Sequence, residues 1–175
     1  RKLAALEALA RFGAADKNLL ASINIEPQSW PTSALLDWSN LLMRVKNLPD
    51  RMGKIKEAQQ ILRTRMHRQG TLMDLSTDKA DHLWWLMTTG DSNSAKALLT
   101  SLEWEDWKED HPRLLTGVLG RMKRGRWDTT TANALGFLAI KKFGGRYEST
   151  PVSGRTEAVL QEKKEGVDWE KTPAG

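Results

Sequence analysis

Three histidines, one acidic run and one strongly basic stretch are the places where this chain could do chemistry. His67, His82 and His111 are widely separated. None belongs to a His-x-x-x-His pair or accompanies a Gly-x-Ser-x-Gly nucleophile turn, so neither a zinc site nor a hydrolase triad is spelled out. Structural or surface roles are expected for all three. The run from Glu103 to Asp110 gathers several carboxylates, the residue type that a hard cation or a general-acid pair would need. They are interleaved with Trp104 and Trp107 and lack the Asp-x-Asp-x-Asp-Gly spacing of a calcium loop, so the run reads as a charged connector. The sequence has no cysteine, which removes disulfides, zinc-thiolate sites and thiol nucleophiles together. No catalytic, cofactor-binding or metal-ligating residue is therefore assigned, and no cofactor is expected.

The net charge of +5 raises the question of an anionic partner. The Lys/Arg-rich stretch from Arg51 to Arg68 carries its charges all round a helix instead of on one stripe with stacking aromatics, which reads as a solvated face and not a nucleic-acid footprint. Among eight tryptophans, Trp38 and Trp84 share stripes with leucine and methionine at core spacing and are expected inside. Trp30, Trp85, Trp104, Trp107 and Trp127 fall near helix ends or turns, where packing against another domain is an alternative use.

The elements that position these residues read as helical almost throughout. Across 175 residues, 39% hydrophobic and 28% charged residues are ordinary globular values, and no apolar run approaches the ~20 residues that span a bilayer. Arg1 to Phe12 already reads as the middle of an amphipathic helix, with Leu3, Leu6 and Ala10 on one side, so the chain is expected to begin inside a longer protein. Further helices are predicted from about Thr32 to Lys46; from a cap at Asp50 to Gly70, with Ile55, Ala58, Leu62 and Met66 inward; and from Ser76 or Thr77 to Gly90, bearing Ala80, Leu83, Trp84 and Met87. A short one carries Ala95, Leu98, Leu99 and Leu102. Another opens at Pro112, uses Leu114, Leu115, Val118 and Met122, and stops at Gly125. The last starts near Asp128 or Thr129, shows apolar residues on more than one face, and ends at Gly144 and Gly145. Gly136, between Ala132 and Ala139 on one side of that helix, predicts a close approach of a neighbouring element. From Tyr147 onward the helical period fades. Arg155 to Leu160 reads as an extended segment, too short and polar to stand without a partner edge.

One internal repeat is visible. Arg65 to Leu72 leads into Ser76 and Thr77, and Arg121 to Trp127 leads into Thr129 and Thr130; each unit reads as a basic helix end, a glycine turn, a large apolar residue and a hydroxyl cap. Alternation of solvated and buried helices is what a ring or solenoid of helical hairpins requires. The fold expected is all-α: a partial α/α toroid of antiparallel helix pairs over residues 1–146, with a short extended C-terminal tail over 147–175.

Four segments, taken in order, resemble one family. Trp30 to Trp38, Asp81 to Met87, His111 to Leu115, and Arg126-Trp127-Asp128-Thr129-Thr130-Thr131-Ala132-Asn133-Ala134 together resemble the C-terminal half of the helical thioester-type domain of bacterial alpha-2-macroglobulin-like proteins. The tail, with Thr150 to Gly154, resembles the return into the adjoining β-sandwich. The resemblance implies half of an α/α toroid within a large bacterial envelope or periplasmic inhibitor that traps proteases. This chain would serve there as scaffold and contact surface, with proteases and adjoining domains of its parent as partners and no nucleic acid or membrane contact of its own. Lacking cysteine, it holds no Cys-x-x-Gln thioester, so no reactive residue carries over. Two other readings are a helical-repeat adaptor, which would form an open superhelix, and a toroid enzyme such as a glycosidase or terpenoid cyclase, which would need converging carboxylates.

Overall fold

The computed structural model describes residues 2–15, 17–76, 83–149, 153–161, 163–169 and 171. Two compact units divide the chain, Arg1–Lys142 and Phe143–Gly175. The first opens with α1 (Lys2–Arg11), which buries Leu3, Leu6 and Ala10, and a four-residue α2 (Lys17–Leu20). Then come α3 (Thr32–Arg44) and α4 (Arg51–Thr64), whose apolar stripes Leu35, Trp38, Leu42 and Ile55, Ala58, Leu62 form the centre of the core. α5 (Gly90–Ser101) and α6 (His111–Gly120) pack as a pair. α7 (Thr130–Tyr147) follows, and the division between the units falls inside it.

The fold is mixed α/β, not the expected all-α partial toroid. Met66, expected on the inward stripe of α4, instead opens β1 (Met66–Gln69), which turns through Gly70 and Thr71 into the antiparallel β2 (Leu72–Leu75). Gly70 has φ +59°, and a glycine at the first central position of a two-residue loop is the type II′ hairpin turn whose twist suits paired strands. The hairpin then takes space that a ring of helices would give to another helix. A Cβ at Gly117 of α6 would lie 2.2 Å from the carbonyl oxygen of Met73, so α6 rests directly on the backbone of β2.

The second copy of the repeat turns the same way. Lys123 and Arg126 exchange backbone hydrogen bonds of 2.8 and 3.3 Å around Arg124 and Gly125, both with positive φ, the type I′ pattern. The repeated unit is thus a tight β-turn and not a helix end. Asp50 also departs from expectation: it sits at φ +48° and its side chain caps no backbone N–H. Of the helix expected from Ser76 or Thr77 to Gly90, residues 77–82 lie outside the described residues; in the rest Trp84–Leu86 is a single 3-10 turn, and Gly90 opens α5 instead of closing a helix. α7 runs through Gly144 and Gly145 without stopping.

In the second unit, β3 (Arg155–Leu160) pairs with β4 (Lys163–Asp168) in antiparallel register. The partner edge that β3 was expected to need from elsewhere is supplied by the same chain, and Trp169 Nε1 donates to Thr156 Oγ1 at 2.7 Å across the hairpin.

Candidate functional site

The residues singled out for their chemistry are used to hold the first unit together. His111 is fully buried at the start of α6, and since a carbonyl can only accept, its Nε2–H donates to the Ser101 oxygen at 2.8 Å. His67 is exposed on β1, and His82 lies outside the described residues. The acidic run does more than connect. Asp110 accepts from Arg63 of α4 at 2.7 Å, Arg63 also donates to the Asp106 carbonyl at 2.9 Å, and its guanidinium lies 4.4 Å over the Trp107 ring. Trp104 and Trp107 are buried edge to face at 5.2 Å, so these two belong to the core of the unit. No group of three or more metal-ligating side chains occurs among the described residues.

Arginines of the basic stretch are likewise structural. Arg51 donates to the Leu42 and Met43 carbonyls at 2.6 and 3.2 Å, satisfying the last turn of α3, and Arg65 is buried beside Thr32. Arg121 holds Asp74 of β2 in a two-pronged grip at 2.8 and 2.7 Å and reaches Asp91 at 3.2 Å. Burial lowers its pKa, but the hydrogen bonds and charges of Asp74 and Asp91 more than reverse that and hold it above the ordinary value.

What the sequence did not reveal is a cleft of about 1190 Å³ among α1, α3, α5, α7 and the turn at Trp84–Leu86. Its polar lining includes Glu7, Asp37 and Lys96. Glu7 accepts from Arg11 and Arg44 at 2.9 and 3.2 Å, and Lys96 bonds Asp37 across the α3–α5 contact. Asp37 titrates above the ordinary carboxylate value because burial outweighs the attraction of Lys96, with Glu7 adding to the rise. Both charges are committed to each other. What they offer is a largely desolvated ion pair under an apolar wall, an arrangement suited to recognition.

That wall is Trp85, Leu86, Met87 and Leu135, with Trp30 and Pro31 also lining the cleft. Trp84, expected in the core, is 74% exposed and stands edge to face with Trp85 at 6.1 Å. The turn is nevertheless tightly held. Leu86 and Met87 donate to Leu83 and Trp84 at 2.9 Å each, and Thr89 makes a reciprocal capping box with Ser92 at the start of α5 while donating to Asp128 at 2.9 Å. Met87 sits at φ +55°, a conformation that costs a non-glycine residue about 1–3 kcal/mol and persists only where its surroundings impose it. A signal was present in the sequence: Asp37 stands next to Trp38 within an apolar stretch and Lys96 between Ala95 and Ala97, charges placed where a core would exclude them.

No known protein family, curated protein or solved structure matches this chain.

Proposed function

We propose that this chain is a non-catalytic segment of a bacterial cell-envelope protein of the alpha-2-macroglobulin-like class, acting as scaffold and contact surface while its parent traps a protease. The observation that carries the reading is how the resembling motifs are spent. Trp38 and His111 are fully interior, and Trp127 donates from Nε1 to the Val118 carbonyl at 2.8 Å while its ring lies against Gly136. Asn133 returns bonds of 3.0 and 2.6 Å to the Trp127 and Thr129 carbonyls. These are framework roles, and a framework is what a scaffold segment needs from its most distinctive residues. The cleft beside the Trp84–Leu86 turn supplies the contact surface. In this reading the proteases are met by the whole parent in the periplasm, and this segment contributes no reactive group.

The test uses the purified chain. Incubated with trypsin or elastase, it should leave the rate of peptide-substrate hydrolysis unchanged at any ratio. Stoichiometric inhibition, or hydrolysis of a substrate by the chain itself, would sink the scaffold reading.

A further inference from the structure

The cleft does not end at its apolar wall. Lys96 and Leu135 also line a second depression of about 360 Å³, where Arg11, Arg44 and Lys142 face a single carboxylate, Glu103. The two depressions therefore form one groove. Its walls are apolar at the tryptophan end, and along it Lys2, Lys96, Arg11, Arg44 and Lys142 stand against Glu7, Asp37 and Glu103; Lys96 is paired with Asp37 and Lys142 with Glu103, so the surplus positive charge lies with Lys2 and with Arg11 and Arg44 over Glu7. Arg11 and Arg44 are both partly exposed and share one carboxylate, that of Glu7, which leaves guanidinium N–H groups facing solvent. At about 1190 Å³ the larger depression alone exceeds the roughly 300–1,000 Å³ of small-molecule pockets, which suits a polypeptide.

We propose that this groove receives an amphipathic helical segment of a partner polypeptide, its apolar face on Trp85, Leu86, Met87 and Leu135 and an acidic end on Arg11, Arg44 and Lys142. Charge complementarity selects the occupant: a basic segment would add to the positive surplus, whereas carboxylates would meet the guanidinium N–H groups that Glu7 leaves facing solvent. The rigid, strained turn at Met87 prepares the apolar end, because a contact surface already fixed in place loses little freedom on binding. Apolar residues of a helix spaced at i, i+3, i+4 and i+7 form the stripe such a groove takes. The inference rests on the contact-surface reading but is tested separately, since it is measured by peptide binding and not by protease activity.

The experiment uses the intact chain and three fluorescein-labelled, tryptophan-free peptides of one length. One has leucines at the helical spacing and a Glu/Asp cluster at one end, one has lysines in place of the acids, and one is the scrambled acidic sequence. Fluorescence anisotropy should show the acidic amphipathic peptide binding at least about tenfold more tightly than the other two. Trp85→Ala should weaken it about tenfold or more. Arg11→Ala with Lys142→Ala should weaken the acidic peptide and leave the lysine peptide unchanged. Because the chain has no cysteine, Thr88→Cys carrying a benzophenone gives a readout that does not require truncating the wall: it should cross-link to the acidic peptide. Equal binding of the acidic and lysine peptides, no cross-link, or binding to phosphatidylserine vesicles that the acidic peptide does not compete away would each overturn the proposal, the last in favour of a membrane surface.

Discussion

Gly136→Ala is the substitution whose outcome the structure constrains most closely. In an exposed helix interior this change is stabilising by about 1 kcal/mol. Here an added Cβ would stand 2.5 Å from Cη2 and Cζ3 of Trp127, more than 1 Å inside the ~3.5–4.0 Å at which carbon atoms rest. The ring is not free to withdraw: Trp127 is buried, its Nε1 is held by the Val118 carbonyl at 2.8 Å, and its backbone N–H donates to Asn133 Oδ1 at 3.2 Å. Either the overpacking persists or the ring moves and the indole bond is lost, and the two routes cost about 2–4 kcal/mol. Less the propensity gain, the net loss is about 1–3 kcal/mol, a fall in Tm of roughly 3–10 °C for a chain of this size. Gly136→Leu should fall at least as far. Urea unfolding followed by far-UV circular dichroism measures the loss, and a second background makes the reasoning refutable. With Trp127→Leu in place the obstruction is gone, so adding Gly136→Ala should become neutral or stabilising. Destabilisation of the same size in both backgrounds would show that the tryptophan ring is not what excludes the methyl group.

Three further outcomes follow from the geometry. Arg121→Met leaves the partly buried carboxylates of Asp74 and Asp91 without their cation and should cost about 3 kcal/mol in urea unfolding, part of it recovered by adding Asp74→Asn. Trp84→Ser should change stability by no more than about 0.5 kcal/mol, whereas Trp38→Ala, 1% exposed, should cost about 3–5 kcal/mol; similar losses would show that the turn at Trp84–Leu86 is not exposed in solution. Asp37 binds its proton more tightly folded than unfolded, so its contribution to stability falls as pH rises above the unfolded carboxylate range through its elevated folded value. The stability difference between the native chain and Asp37→Asn should therefore shrink between acidic and neutral pH, and a difference that grows over that range would overturn the assignment.

Most of the helices were legible because their apolar residues recur at helical spacing: α1 buries Leu3, Leu6 and Ala10, α3 buries Leu35, Trp38 and Leu42, and α5 buries Ala95 and Leu98 while Leu99 is half-buried. The hairpin β1–β2 was not, because Met66 continues the stripe of α4 and a glycine four residues on reads equally as a helix stop. What separates the two is the run Leu72, Met73 and Leu75 on the far side of the turn, since a glycine at positive φ serves a helix stop and a hairpin alike. Trp84 was misplaced for a related reason, whereas Trp107, read as lying near a turn, was assigned to no face. Spacing assigns a tryptophan to a face only where a helix exists to carry the face, and both residues sit on single 3-10 turns. There tertiary packing decides, burying Trp107 under Arg63 while leaving Trp84 in solvent. The candidate site shared that fate, since it joins helices far apart in sequence through Asp37 and Lys96, which only the folded chain brings together.

Charge was the least readable quantity of all. A net +5 implies an anionic partner only after the cations that serve the fold have been set aside. Arg51 closes the end of α3, Arg63 and Arg65 tie α4 to distant loops, and Arg121 binds two carboxylates of the hairpin and α5. These are among the most crowded basic positions in the sequence, yet their hydrogen-bonding groups point inward. Arg11, Arg44 and Lys142 come from three separate helices, form no run in the sequence, and converge on one depression beside a single glutamate. The density of basic residues along the chain is therefore a poor guide to where positive potential is available to a ligand. The convergence of sparse ones across helices is the better guide, and it places Arg11 and Arg44, two cations on the one carboxylate of Glu7, at the end of the groove where the apolar wall stops.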